Sequence, residues 1–219
     1  MCSRNALPKM LEEYASRDPD MMAELSGGKY ENDSIYLKYC NIPLKVGYPS
    51  GKFTFLLDHK DQEERELTNE EKVVIIQYLM FSCGLPARGN WISFLDLKGG
   101  PLHWLPFQKE ILIPLAYRYH DRLASFLRCG QEYGGTPSDQ GDAGIIVPVF
   151  PRLDLAFIIW EGGEGFEPRS MILFDSVAEA YLSTATLYVL AIQAAIRIWF
   201  PGDTRFSNKN EGIEERELR

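Results

Sequence analysis

The residues best suited to chemistry are an acidic set, Glu161, Glu164, Glu167 and Asp175. Paired carboxylates can hold a hard cation, or divide into an acid and a base. A turn after Glu161 would bring two strand ends together, so Glu161 and Asp175 are expected to approach each other. The competing reading makes Asp175 a helix cap and leaves the glutamates in solvent. The three histidines are His59, His103 and His120. No two are close enough in sequence to form a local metal pair. His103, in Gly99-Gly100-Pro101-Leu102-His103-Trp104, sits on a loop, where functional groups concentrate, and is the third catalytic candidate. His59 belongs to a charged connector, and His120 lies on a helix beside Tyr117, Tyr119 and Asp121.

Other chemistries lack their motifs. Gly162-Gly163-Glu164-Gly165 looks like a phosphate loop, but a strand follows it where a helix N-terminus is needed. Its acidic flanks would also repel phosphate, so it reads as a hairpin turn. There is no Walker A sequence, no G-x-S-x-G elbow and no H-E-x-x-H. Cys2, Cys40, Cys83 and Cys129 form no C-x-x-C pair and no Cys/His cluster. They predict reduced thiols in a cytoplasmic protein, with no metal site and no cofactor that the sequence names.

The elements that must position these groups can be read from periodicity. Leu7, Met10, Leu11 and Tyr14 recur at helical spacing. Asp18-Pro19 reads as an N-cap with Pro at N1, and Gly27-Gly28 as the stop. Short strands follow at 35–40, 42–46 and 52–57, joined by connections too short for parallel crossovers. Thr68 and Glu71 form a capping box before a buried helix ending near Cys83-Gly84. Residues 84–107 are expected to be an irregular, aromatic-rich loop with Trp91, Phe94, Trp104 and Phe107. It would either cap the core or line a pocket. Pro114 starts or kinks a helix to about Arg128, stopped by Gly130. Residues 134–144 read as a loop. Strands are then expected at 145–150, 153–160 and 171–174. A short helix to Leu182 and a long one to Phe200 come last, the latter capped by Ser183 or Thr184.

Strands and helices do not alternate as a doubly wound fold requires. The expected class is α+β: antiparallel hairpins packed with several buried helices. Residues 1–201 form a single expected domain with its first 27 residues at the periphery, and residues 202–219 form a charged tail. The 219 residues carry 23 Lys plus Arg against 31 Asp plus Glu, a net charge of −8 that argues against nucleic-acid binding. The longest apolar run, Ala185 to Phe200, contains Gln193 and Arg197 and reads as a core helix rather than a membrane span. The N-terminus lacks the apolar core of a signal peptide.

One resemblance emerges from ordered small motifs: Tyr78-Leu79, Trp91-x-x-Phe94, Gly99-Gly100, Gly134-Gly135, Gly141-Asp142, Pro151-Arg152, Trp160-Glu161-Gly162, Phe166, Leu173-Phe174-Asp175, Tyr181-Leu182 and Thr184. In this order they resemble an uncharacterised family, domain of unknown function 3786, across residues 70–190 and more loosely upstream. The resemblance implies a cytoplasmic protein of anaerobic bacteria and archaea. It also implies a link to corrinoid or iron–sulfur proteins of one-carbon metabolism. Any cluster would belong to a partner, because this chain lacks the cysteines. Trp160, Arg152, Trp91, Gly135 and Asp142 become ligand-binding candidates. The chain departs from the family pattern at Gly163 and Gly165, where acids are usual, and at Ala185, where Glu is usual.

Three functions follow as expectations. The first is a soluble binding or accessory module with a corrinoid or iron–sulfur partner. The second is an enzyme using Glu161 and Asp175, with or without a divalent cation. The third is a structural or dimerising protein whose 91–107 loop packs on a partner.

Overall fold

The computed structural model describes residues 6–56, 66–163 and 165–201. Cys2, His59, Glu164, most of the charged connector and the tail from 202 lie outside them. The fold is α+β. Helices α1 (Ala6–Ala15) and α2 (Pro19–Ser26) lead into strands β1 (Lys29–Tyr30), β2 (Ser34–Tyr39), β3 (Ile42–Gly47) and β4 (Phe53–Phe55), an antiparallel sheet in sequential order. Asp18 caps α2 by accepting from the Met21 N–H, and Gly27 closes it in the left-handed region at φ 76°. Both helices are more than peripheral: Tyr14, Met22 and Ala23 are buried in the core.

Helix α3 (Asn69–Phe81) begins with the expected capping box. The Thr68 hydroxyl accepts from the Glu71 N–H, and Glu71 accepts from the Thr68 N–H. A second antiparallel sheet runs in the order β5-β9-β8-β7-β6. Its strands are β5 (Trp91–Ser93), β6 (Thr136–Ser138), β7 (Ala143–Phe150), β8 (Leu153–Trp160) and β9 (Arg169–Asp175). The two sheets touch where the Cys40 N–H donates to the Val149 carbonyl at 2.9 Å. Helix α8 (Thr184–Trp199), capped by Ser183, is buried on most sides, and Trp199 packs on Phe157 with ring centroids 4.5 Å apart. That arrangement explains why apolar residues occupy most of its faces, with Gln193 and Arg197 as interruptions.

Two expectations about irregular stretches need correction. Residues 84–107 contain β5, which adds to the edge of β9, followed by two short 3₁₀ turns and α4 (Trp104–Phe107). Phe94 and Phe107 are fully buried and stack at 4.4 Å, so these two aromatics cap the core. The loop expected over 134–144 likewise contains β6.

The helix around Pro114 also differs. The chain is helical from Trp104 through a π turn at Gln108–Leu112 into α5 (Ile113–Tyr119), then restarts as α6 (Leu123–Glu132). Proline lacks the N–H that would bond to the Glu110 carbonyl, and its ring would collide there. The widened turn relieves the collision, with the Ile113 N–H bonding to the Gln108 carbonyl. Gly130 does not stop α6. It lies within it, where any Cβ would stand 2.6 Å from Ile145, so it permits close packing on β7. The short α7 (Ala178–Tyr181) joins β9 to α8.

Candidate functional site

The β8–β9 hairpin places Trp160 directly opposite Arg169. The Arg169 guanidinium lies over the Trp160 ring at 5.3 Å from its centroid, a cation–π geometry. Helical residues from the α4–α5 segment face this pair across a cleft of about 380 Å³, a size suited to a small ligand. Its lining includes Trp104, Gln108, Leu112, Ile113, Ala116 and Met171. The Ser170 hydroxyl donates to the Leu112 carbonyl at 2.7 Å and fixes the helix to β9. The floor is therefore rigid, and the π turn sets which helical residues reach it.

Hairpin residues frame the mouth. The bridge between Gly163 and Phe166 closes the turn, with N–H to O distances of 2.9 and 3.0 Å in the two directions. Gly162 has φ 80°, and a Cβ there would stand 2.6 Å from the Phe166 carbonyl, so only glycine fits without strain. The Tyr117 hydroxyl donates to Glu167 at 2.5 Å, tying the turn to α5. That hydrogen bond, with burial and the carboxylate charge adding to it, raises the Tyr117 pKa above the ordinary phenol value. Phe166, Leu105, Ile113 and Tyr117 are exposed around the cleft's elements.

The acidic pair expected from sequence does not form. In the hairpin register Trp160 meets Arg169, while Asp175 lies at the opposite end of β9, opposite Trp91. Six residues of strand separate the two ends by about 20 Å. Glu161 is exposed beside the cleft. Asp175 is buried, and its carboxylate accepts from the backbone N–H groups of Arg88 (2.9 Å), Gly89 (2.7 Å) and Val177 (2.9 Å). Asp175 thus anchors the 84–90 segment and starts the turn into α7. The next pair in the β8–β9 register brings Asp154, not Glu161, beside Asp175. Burial, and then the charge of Asp175, raise the Asp154 pKa above the usual carboxylate value.

The remaining sequence candidates scatter. Asp142 accepts from the Glu161 N–H at 2.9 Å and pins the strand end that carries Trp160. Gly135 allows close approach, since a Cβ there would stand 2.7 Å from the Gly130 carbonyl. Arg152 is at the far end of β8, about 25 Å from Trp160 along the strand. Its N–H donates to the Tyr78 hydroxyl at 3.2 Å, and its Nη2 reaches the Glu24 carbonyl at 3.4 Å. Trp91 is half-buried next to Asp175. His103 is exposed, with its ring 6.3 Å from that of Tyr188 and no carboxylate bonded to it among the described residues. No group of three or more His, Cys, Asp or Glu among the described residues is arranged to hold a metal ion.

Of the sequence candidates Trp160 lines the cleft, and Trp104, from the aromatic stretch expected to cap the core or line a pocket, lines it too; Gln108, Arg169 and Met171 were not among the candidates. Counting outward from the Glu161–Pro168 turn would have paired Trp160 with Arg169. No sequence signal announces that a π turn will present Gln108 to them.

No helix among the described residues is long and apolar enough to cross a membrane. No curated protein and no solved structure matches the chain. The family model described as Domain of unknown function (DUF3786) matches residues 18–197, which include the cleft, both sheets and nearly all of α8. The chain belongs to that family, domain of unknown function DUF3786.

Proposed function

We propose that the chain is a binding module whose ligand site is the cleft between the β8–β9 hairpin and the α4–α5 segment. One observation carries this reading: the cleft joins two indoles and a guanidinium to an apolar floor, at a volume suited to a small molecule. The alternative of a Glu161–Asp175 catalytic pair is disfavoured by the distance between them. The family resemblance supports an accessory role in anaerobic one-carbon metabolism, beside a corrinoid or iron–sulfur protein, in the cytoplasm. Cys40, Cys83 and Cys129 are thiols rather than disulfides, which is consistent with a reducing compartment.

Native mass spectrometry of protein purified without oxygen tests the reading. A retained mass on the wild type that is lost in Trp160→Ala supports the cleft as the ligand site. A retained mass that is unaffected by Trp160→Ala, or a bare wild-type chain, speaks against it.

A second reading has its own observation. Leu102 and Leu105 are 82% and 67% exposed, and Phe166 is 80% exposed. Such exposed apolar side chains favour contact with a protein partner. A monomer by light scattering, together with no crosslinked partner at these positions, would remove this reading.

A further inference from the structure

Within the cleft, hydrogen-bond donors outnumber acceptors. Arg169 makes no ion pair among the described residues, and its one recorded partner is the face of Trp160. What sets Arg169 apart is its place: its guanidinium lies on the Trp160 ring at the cleft, and Glu167, two residues away, is engaged by the Tyr117 hydroxyl. The indole N–H groups of Trp104 and Trp160 and the side-chain amide of Gln108 likewise have no hydrogen-bond partner among the described residues. Indoles only donate, and a guanidinium only donates. The Ser170 hydroxyl proton is already given to the Leu112 carbonyl. Gln108 adds one acceptor oxygen, so a ligand that replaces water on this set accepts most of the hydrogen bonds and complements the guanidinium with negative charge.

The charge count narrows the class. One guanidinium balances one negative charge, and its planar fork fits the two oxygens of a carboxylate. A phosphate monoester carries about −1.5 to −2 at neutral pH, more than one arginine offsets. The apolar floor and the aromatic walls suit a flat, apolar ligand body. We infer that the cleft recognises a small monocarboxylate on a flat apolar body, with Arg169 as its counter-ion. This rests on the cleft being the ligand site.

The test uses benzoate, its neutral counterpart benzamide, and phenyl phosphate, titrated into the full-length protein. Binding is followed by the tryptophan indole N–H resonances in NMR, with Trp104 and Trp160 assigned by substitution. The expected result is saturable movement of both signals by benzoate, at least about tenfold weaker binding in Arg169→Gln, and incomplete rescue by Arg169→Lys. Benzamide and phenyl phosphate bind more weakly. Arg169 is exposed, so neither substitution should prevent folding. Benzamide binding as tightly as benzoate, with both indoles moving and Arg169→Gln silent, overturns the carboxylate class but leaves the cleft as a ligand site. Tighter binding of phenyl phosphate also overturns the class. No movement by any of the three probes overturns the carboxylate class, and the native mass measurement then decides whether the cleft binds anything else.

Discussion

Asp175 holds three backbone N–H groups, two of them more than 80 residues away in sequence. Losing that carboxylate would leave the buried Val177 N–H and the part-buried Arg88 and Gly89 N–H groups without partners. Asp175→Ala should therefore lower stability by about 2–4 kcal/mol, measurable by urea denaturation. A substitution there that abolished ligand binding without loss of stability would contradict the anchoring role. The sequence showed that Asp175 could start a turn. It could not show the 88–89 backbone arriving from another segment, because no local signal encodes that approach. Asp154 gives a test with a sign. Its pKa is raised in the folded protein by burial and then by Asp175. A raised carboxylate favours folding when protonated, so this penalty is absent below the unfolded value of about 4 and grows as pH rises through the folded value. Asp154→Asn should raise the melting temperature at pH 7, and the gain should vanish below about pH 4. A gain that is the same at both pH values would refute this.

At the scale of elements, the hairpin and the π turn build the cleft together. Gly162→Ala would force a side chain into a left-handed turn against the Phe166 carbonyl. It should cost about 1–2 kcal/mol and weaken ligand binding by shifting Trp160 and Arg169. Pro114→Ala removes the reason for the π turn. It should leave the protein as stable or more stable, since alanine is the better helix former, yet weaken benzoate binding by moving Gln108. Unchanged binding in that variant would separate the π turn from the site. Most elements were legible from sequence because their signals are local: Asp18-Pro19, Thr68 with Glu71, and Ser183 each mark a helix start where the structure has one. The α4–α5 segment was not, because Pro114 suggests a helix start while packing on β9 carries the helix through it. The short strand β5 was also hidden, since Trp91–Ser93 becomes a strand only by pairing with β9.

At the scale of the molecule, one buried ion pair ties the first sheet to the long helices. Arg197 Nε and Nη2 donate to Glu71 at 2.8 and 3.1 Å, and the Tyr39 hydroxyl donates to the same carboxylate at 3.3 Å. Both charged side chains are almost fully buried. Arg197→Met would strand the Glu71 charge and should cost about 3–5 kcal/mol, while adding Glu71→Leu should restore much of it. Urea unfolding of the single and double variants checks this, and an additive loss in the double variant would contradict it. Gln193 and Arg197 were readable as polar interruptions in an apolar helix, but their partners, Thr68 at the cap of α3 and Glu71 in its first turn, were not, being more than 100 residues distant. Trp199, two residues beyond Arg197 on the same helix, packs on Phe157 of β8 and so joins this frame to the sheet that carries the cleft. Recognition of a small carboxylate on this surface is tested most directly by the benzoate titration read at the tryptophan indoles. Trp104 and Trp160 should move together and saturate, buried Trp199 should stay in place, and Arg169→Gln should weaken the response. Movement of Trp199 alone, or silence at Trp104 and Trp160, would contradict carboxylate recognition there.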